Sequence, residues 1–395
     1  MIKKIIVLLL ISICGCNSAQ EASEKLRVIE YQELEHQKSL IKKGDKKAVE
    51  NYNKLIKQVD KLLNRSVFSV VNKVGVPPSK SKHDYMSIGP YWWPNPETAD
   101  GLPYIRKDGE INPETRNNYT DFVENENFLR AIRDLSNAYY LSDNISYANR
   151  ALKLINTWFL DADTKMNPNL NYGQSIPGKN DGRCFGIIEF GGLVEILKCL
   201  EVLEDRNQLD DETKKGMESW LSEYADWLQN SELGKEEATR ENNHGTHYDI
   251  QLLNILLYLN RADEVKNHLS TITKARIFSQ IEPDGSQPRE LKRTKSFSYS
   301  TMNLHGFMEL VRIGQKVGIA LWNIESEDGR SIKKGYQYMV PYLIKEKEWE
   351  HKQITSIKSS EAKLIADLNY VSKTLKDTSF DKALHLLNQK NEVKN

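Results

Sequence analysis

The feature that most limits the fold of this chain is a helical hydrophobic period that persists over most of its length. Apolar side chains recur at intervals of three and four residues, the spacing of one face of an α-helix. No sustained alternation of apolar and polar residues competes with this period, so the sequence predicts an all-α protein. Two of the stripes are Ala48, Tyr52, Leu55, Ile56, Val59 and Leu63, and Met217, Trp220, Leu221, Tyr224, Trp227 and Leu228.

The predicted helices come in pairs joined by short polar turns, and each helix must bury one face. Such pairs can close into a ring or stack as an open solenoid. No fixed-period repeat is visible, which disfavours the solenoid. We therefore predict an (α/α) toroid or barrel of six to seven helical hairpins, forming an incomplete ring over residues 25–345, with long loops lining a cleft. Residues 346–395 are rich in Lys and Glu and are predicted to form a helical tail on or beside the toroid.

The N-terminus, MIKKIIVLLLISICGCNSAQ, is typical of an export signal. Two lysines precede an apolar run that is too short to span a bilayer stably. The run ends at Cys14-Gly15-Cys16, which resembles a bacterial lipoprotein signal with lipidation at Cys16. We expect a signal peptide over residues 1–16, a linker over 17–24, and a periplasmic or outer-membrane-anchored protein; secretion without a lipid is the alternative.

The overall charge excludes several classes of partner. The chain has 55 basic and 55 acidic residues and a formal net charge of zero. No global field therefore favours nucleic acid or an anionic membrane, and a polyanionic substrate would need a local basic patch. Membrane association is expected only through the lipid, and we expect a monomer. Cys184 and Cys199 suggest neither a disulfide framework nor, at their spacing, a zinc site.

Two long stretches break the helical pattern, residues 77–118 and 165–183, and long irregular segments in compact domains are often functional. In the first, prolines hold Tyr91, Trp92 and Trp93 in an extended segment, where the rings either form an exposed sugar platform or staple the loop to the core. The second carries Tyr172, Gln174 and Arg183 among glycines that permit close backbone approach to a ligand.

Residues 240–249, RENNHGTHYD, place two histidines three positions apart, on one face of a helix. This spacing is compatible with metal binding, although no HExxH pattern completes a zinc set. Asn242 or Asn243 could cap the helix that follows. In that case His244 lies at the positive end of the helix, where an anion is favoured.

Residues 284–300, DGSQPRELKRTKSFSYS, contain the densest basic cluster in the second half of the chain. A solvated charged turn is usually the better explanation of such a cluster. The cluster nevertheless lies between two predicted helices, where a toroid places the loops of its cleft.

Four motifs in order, YWWPNP, QSIPG followed by GR, NNHGTHYD, and DGSQPRELKRTKSFSYS, resemble the alginate lyase superfamily of helical-toroid polysaccharide lyases. The resemblance runs from about Asp84 to Phe307. It implies a catalytic group of Asn243, His244, Arg293 and Tyr299, and we expect no cofactor and no metal. An acidic polysaccharide, alginate or glucuronan, is the implied substrate. His247 stands where the family has an aromatic residue, which assigns it a structural role.

These residue types suit β-elimination of a uronate. A base must remove the C5 proton beside a carboxylate, so donors must neutralise that carboxylate, and Asn243 and His244 are the candidates. Tyr has an ordinary pKa of about 10, so Tyr299 needs a neighbouring cation to act as a base, and Arg293 is expected to supply it with help from Lys295. In mannuronate Tyr299 could be both base and acid. In guluronate or glucuronate, His244 could take the proton while Tyr299 protonates the leaving oxygen.

The remaining candidates are assigned to substrate binding, with Arg183 on a carboxylate. Two alternatives stay open: a metal-dependent glycan hydrolase using His244, His247 and a carboxylate, and a non-catalytic glycan-binding surface lipoprotein. The preferred linkage also stays open. The predicted substrate-binding residues are Tyr91, Trp92, Trp93, Tyr172, Gln174, Arg183, Asn242, Arg289 and Lys295.

Overall fold

The computed structural model describes residues 26–392. The expected signal peptide, the lipidation site Cys16 and the linker lie outside the described residues. Within that described part of the chain, no helix is both long enough and apolar enough to cross a membrane.

Helices make up most of the described chain, as the hydrophobic period predicts. A π-helical turn, Leu269–Thr273, joins the ninth and tenth helices. The helices are α1 (Tyr31–Lys42), α2 (Lys46–Leu63), α3 (Phe122–Ser142), α4 (Ile145–Phe159), α5 (Leu193–Asp205), α6 (Asp211–Asn230), α7 (Glu232–Ala238), α8 (Asn243–Tyr258), α9 (Ala262–His268), α10 (Lys274–Gln280), α11 (Pro288–Leu291), α12 (Ser296–Lys316), α13 (Ile332–Leu343), α14 (Lys358–Lys373) and α15 (Asp381–Glu392).

Short capped turns reverse the chain between paired helices. Between α3 and α4, Asp143 adopts a left-handed conformation with φ of 59°. The Asn144 side chain then accepts a hydrogen bond from the backbone N–H of Ser146 at 3.1 Å and caps α4. Asp210 caps α6 in the same way, accepting from the N–H of Thr213 at 2.8 Å. These local signals make the helical hairpins of the ring.

Large aromatic side chains fill the ring between the hairpins. The Phe128 and Trp158 rings stack with centroids 4.5 Å apart, which ties α3 to α4. Phe159 meets the edge of Trp220 at 4.6 Å and extends the contact to α6. One continuous hydrophobic cluster runs from Val28 to Leu384, so the described chain shares a single core.

The strands that the structure contains were missed by the sequence prediction. β1 (Met86–Ile88) pairs in parallel with β4 (Tyr172–Ser175), and β2 (Trp92–Trp93) pairs antiparallel with β3 (Ile105–Arg106). Strands of two to four residues are too short to leave an alternating pattern. Both small sheets form from the two irregular stretches.

Helices α3, α5 and α12 run between two ends of the ring, and near their C-terminal ends Tyr140, Glu201 and Lys316 contact residues 28–31. Residues 27–31, which we call the N-terminal strap, cross one of these ends. The backbone N–H groups of Val28 and Ile29 donate to the two carboxylate oxygens of Glu201 at 2.8 Å each, near the end of α5. Lys316, the last residue of α12, donates to the carbonyl of Val28. The strap therefore covers the end of the ring where these helices finish.

The predicted tail begins as an integral part of the fold. Asp367 of α14 is fully buried and accepts hydrogen bonds from Tyr336 Oη at 2.8 Å and His305 Nδ1 at 3.0 Å. Leu364 and Leu368 of the same helix are buried in the common core. The first tail helix thus packs directly on α12 and α13.

Candidate active site

A cleft of about 720 Å³ opens at the end of the ring opposite the N-terminal strap. The first turns of α3, α8 and α12 form one wall, and the loops that carry the two small sheets form the other. The lining residues are Pro90, Tyr91, Trp92, Arg106, Arg116, Phe122, Glu126, Gln174, Arg183, Phe185, Ile188, Glu189, Asn242, Asn243, His244, Arg293, Tyr299 and Met302.

The α8 wall begins with the two asparagines. Asn242 is the N-cap, and its Oδ1 accepts from the N–H of His244 at 3.2 Å. Asn243 is buried against Glu290, to which its backbone N–H donates at 2.7 Å and its Nδ2 at 3.0 and 2.9 Å. Burial raises the pKa of Glu290, although the hydrogen bonds from Asn243 oppose the rise. A carboxylate therefore already occupies the buried side of this helix start.

His244 faces the cleft from the same turn. Its Nδ1 lies 2.6 Å from Oε1 of Glu237, a carboxylate with no exposed side-chain surface. The edge of the His244 ring meets Phe185, with ring centroids 4.6 Å apart. One ring nitrogen is thus bound to the protein interior, which leaves Nε2 as the nitrogen available to a ligand.

Gly245 explains how this turn packs. A Cβ atom here would lie 1.9 Å from Nη1 of Arg276 and 2.1 Å from the carbonyl oxygen of Arg240. Arg276 passes through this space to donate to the carbonyls of Arg240 at 2.7 Å and Ala238 at 2.8 Å. The glycine thus lets Arg276 tie the end of α7 to the start of α8.

Tyr299 lies in the first turn of α12 with Arg293 against its ring. The guanidinium carbon of Arg293 is 3.8 Å from the ring centroid, and the Tyr299 hydroxyl is 2.7 Å from that of Tyr91. Arg293 also donates to Asp108 at 2.9 Å. Burial favours the carboxylic acid form of Asp108, but hydrogen bonds from Arg293 and Thr294 lower its pKa to about 2. The anion therefore holds Arg293 in place.

The pKa of Tyr299 differs from the sequence expectation. We expected Arg293 to lower it, and the Arg293 charge does act in that direction. Burial is the larger effect, and the hydrogen bond with Tyr91 adds to it, so the pKa of Tyr299 is raised well above its ordinary value. In the free protein Tyr299 is a phenol at neutral pH.

The loop wall presents an arginine between aromatic rings. Arg183 donates from Nε to the carbonyl of Gln174 at 2.7 Å and from Nη2 to its side-chain oxygen at 3.1 Å. The guanidinium carbon lies 4.9 Å from the Phe185 ring centroid and 5.6 Å from that of Trp92. Gln174 has φ of 47°, a left-handed conformation that costs a residue other than glycine some energy. The strained backbone therefore belongs to the residue whose oxygens hold Arg183.

Nine of the thirteen predicted site residues line this one cleft, and four do not. Trp93 donates from Nε1 to the carbonyl of Glu110 at 3.1 Å. Tyr172 lines a separate groove together with Met86 and Ile88 of β1. Arg289 is exposed and pairs with Glu241. Lys295 lies with Nζ 5.7 Å from the Tyr91 ring centroid, and so approaches the partner of Tyr299.

Several cleft groups were not expected from the sequence. Asp108, Glu237 and Glu290 hold Arg293, His244 and Asn243. In the sequence, the one sign of these carboxylates is their position near a basic or amide-rich motif, as for Glu290 in the segment PREL. Glu189 is buried in the cleft wall, where it accepts hydrogen bonds from Tyr85 Oη and Ser87 Oγ, and burial raises its pKa to about 7. Further unexpected lining residues are Arg106, Arg116, Glu126 and Phe185.

The metal-site alternative lacks a ligand set in the described part of the chain. Among residues 26–392, no group of three or more His, Cys, Asp or Glu side chains is placed to hold a metal ion. Nε2 of His247 is buried without a hydrogen-bond partner, and burial lowers the pKa of this imidazole to about 3. These surroundings fit the structural role that the sequence suggested. Cys184 and Cys199 are buried free thiols.

Comparisons with known proteins agree with this architecture. No curated protein sequence matches the chain. The structure of an alginate lyase from Bacteroides ovatus is 36% identical, with a TM-score of 0.85 over 91% of this chain and 94% of that one. Alginate lyase A1-III from Sphingomonas species A1 is 15% identical, with a TM-score of 0.52 over 83% of this chain and 82% of that one.

The similarity to A1-III confirms the predicted (α/α) toroid. A histidine-to-alanine variant of A1-III complexed with a tetrasaccharide has a TM-score of 0.53 at 15% identity, covering 83% of this chain and 81% of that one. The sequence profile of the alginate lyase family matches residues 69–349, a wider span than the four motifs. The chain is therefore a polysaccharide lyase that belongs to the alginate lyase family.

Proposed function

We propose that this protein cleaves alginate or a related polyuronate by β-elimination, with Asn243, His244, Arg293 and Tyr299 as its catalytic group. The observation that carries the proposal is that all four residues line one cleft. The same cleft holds Arg183 and further arginines that suit a polyanion. The substrate class also draws support from the B. ovatus alginate lyase and from the A1-III variant complexed with a tetrasaccharide.

The first chemical requirement is to neutralise the uronate carboxylate, so that C5 can lose its proton. Asn242 is half-buried at the cleft, and its Oδ1 accepts from the helix start, so Nδ2 is the part of its amide that would donate to a ligand. Asn243 donates from Nδ2 to both carboxylate oxygens of Glu290 in the free protein, so its amide would have to exchange this contact for the substrate carboxylate on binding. Arg293 adds positive charge beside the reacting sugar.

The second requirement is proton transfer on both sides of the C4–O4 bond. Because its pKa is raised, Tyr299 stays protonated at neutral pH and can donate its proton to O4 as the C4–O4 bond breaks. Where C5–H and O4 lie on opposite faces of the sugar ring, as in guluronate and glucuronate, His244 takes the C5 proton. In mannuronate they share a face, and Tyr299 takes the C5 proton as a phenolate and returns it to O4.

The test is digestion of separate polymannuronate, polyguluronate and glucuronan samples, followed by the ultraviolet absorbance of the new C4–C5 double bond. We expect the absorbance to rise on at least one polymer, with no loss of rate in EDTA. Sugar binding without new absorbance on every polymer would contradict the proposal. A complete loss of rate in EDTA would point to metal-dependent chemistry instead.

We also propose that the chain is exported and lipidated at Cys16, on the strength of the Ile13-Cys14-Gly15-Cys16 motif. Expression of the full chain in a Gram-negative host with labelled palmitate provides the test. We expect the label in the wild type and in Cys14→Ala, and its loss in Cys16→Ala. Label in all three proteins, or in none, would contradict lipidation at this site.

A further inference from the structure

Glu237 is a buried carboxylate directly behind the cleft. It lies near the end of α7, and its side chain has no exposed surface. Its Oε1 is 2.6 Å from Nδ1 of His244, and Oε2 accepts no hydrogen bond from an N–H or O–H group of the described residues. Among the described residues, His244 is its one ion-pair partner.

The groups around Glu237 do not supply a second strong partner. Arg240 is close, but its guanidinium donates to the Cys184 sulfur at 3.3 Å and to Glu236. The Cys184 thiol is neutral and is only a weak hydrogen-bond donor to Glu237, because burial and the negative charge of Glu237 raise its pKa to about 12. Burying a carboxylate is costly unless a partner compensates its charge. At this position the imidazole that faces the cleft is that partner.

The hydrogen bond decides which nitrogen of His244 is basic. A carboxylate can only accept, so the proton of the neutral imidazole resides on Nδ1, between the ring and Glu237. The lone pair is then on Nε2, the nitrogen left facing the cleft. Packing against Phe185 fixes the plane of the ring, so the lone pair keeps one direction.

We propose that Glu237 is a positioning residue that makes His244 a base, and that this pair serves linkages in which C5–H and O4 lie on opposite faces. The inference rests on the proposed function and adds the residue that orients its histidine base. Linkages in which the two groups share a face depend on Tyr299 for both proton transfers, and need no base at His244.

The proton and electron movements balance without a further reactant. Nε2 takes the C5 proton, and the electron pair of the C5–H bond becomes the C4–C5 double bond. The C4–O4 bond breaks and Tyr299 protonates O4. The imidazolium is then stabilised by the adjacent Glu237 carboxylate. Transfer of its Nε2 proton through water to the Tyr299 phenolate restores both groups.

Glu237→Gln tests the inference because it keeps the shape of the side chain and removes its charge. We expect kcat on polyguluronate and glucuronan to fall by about 100-fold, a typical contribution of acid–base catalysis, with KM little changed. The rate on polymannuronate should fall by less than about fivefold, within the range of an indirect effect. The matched control is Glu236→Gln, at the exposed neighbouring glutamate, which should leave both rates unchanged.

Equal losses on both kinds of linkage, or no loss on either, would overturn the inference. So would a wild type that cleaves polymannuronate alone. A wild type that cleaves none of the polymers would instead overturn the proposed function.

A second measurement does not depend on the folding of a variant. In the ¹⁵N NMR spectrum of the wild type above neutral pH, His244 should carry its proton on Nδ1 and none on Nε2. A proton on Nε2 in that spectrum would overturn the inference.

Discussion

The two walls of the cleft hold their functional groups in different ways. On the helical wall, Asn243 and His244 are each backed by a buried carboxylate, Glu290 and Glu237. On the loop wall, Arg183 is held by the neutral oxygens of Gln174 and lies beside aromatic rings. The helical wall therefore has carboxylates in contact with its functional groups. On the loop wall, Arg183 has no ion-pair contact among the described residues, so its charge is available to a ligand.

This difference fits two separate tasks. A group that gains or loses a proton needs a fixed counter-charge, because reorganising the surroundings during the reaction would raise the barrier. A group that binds a substrate carboxylate is more effective when no protein carboxylate competes for it. The contrast assigns chemistry to the helical wall and substrate binding to the loop wall, and it can be tested one wall at a time.

The largest effect is expected at Tyr299 on the helical wall. Tyr299→Phe keeps the ring that packs against Arg293 and removes the hydroxyl, so kcat should fall by about 1,000-fold or more on every polymer cleaved. Initial rates from ultraviolet absorbance measure this. Tyr172→Phe is the control, since Tyr172 lies outside the cleft, and its rate should stay within about twofold of the wild type. A comparable loss in both variants would place the chemistry elsewhere.

The next effect is a pH dependence that differs between linkages. The pKa of Tyr299 is raised, so the phenolate is scarce at neutral pH and becomes commoner as the pH rises. On polymannuronate, where Tyr299 must first be a base, kcat/KM should rise about tenfold per pH unit on the alkaline side of neutrality. On polyguluronate Tyr299 acts as the acid, and this rise should be absent. Parallel pH profiles on the two polymers would contradict the proposed roles.

A smaller effect is expected on the loop wall. Arg183→Ala removes a charged donor whose hydrogen bonds are typically worth about 1.5–3 kcal/mol, so KM should rise about tenfold or more. The value of kcat should change by less than about threefold, because the wall does not take part in proton transfer. Steady-state kinetics separates the two constants. The control is Arg289→Ala, at an exposed arginine outside the cleft. A loss confined to kcat in Arg183→Ala would contradict the assignment of substrate binding to the loop wall.

The sequence predicted the fold better than the electrostatics of the site. Long helical stripes and capping residues such as Asn144 are local signals, and they survive without knowledge of tertiary packing. The four motifs led to Asn243, His244, Arg293 and Tyr299 through a family resemblance rather than through spacing alone.

The features of the site that the sequence did not predict depend on contacts between distant segments. Glu290 is 47 residues from Asn243, and Asp108 is 185 residues from Arg293. The raised pKa of Tyr299 comes mainly from burial, which a motif does not reveal. The strands β2 and β3 hold two residues each, too few to produce a period.

The N-terminal strap bears on how the enzyme could be attached to a solid support. The strap binds where α5 and α12 finish, whereas the cleft opens where α12 begins, and a helix of the length of α12 spans about 30 Å. A linker joined ahead of residue 27 would therefore leave the protein from the face opposite the cleft. Immobilisation through that end should keep the cleft open to long polymer chains, so a bead-bound enzyme should digest them as readily as the free one.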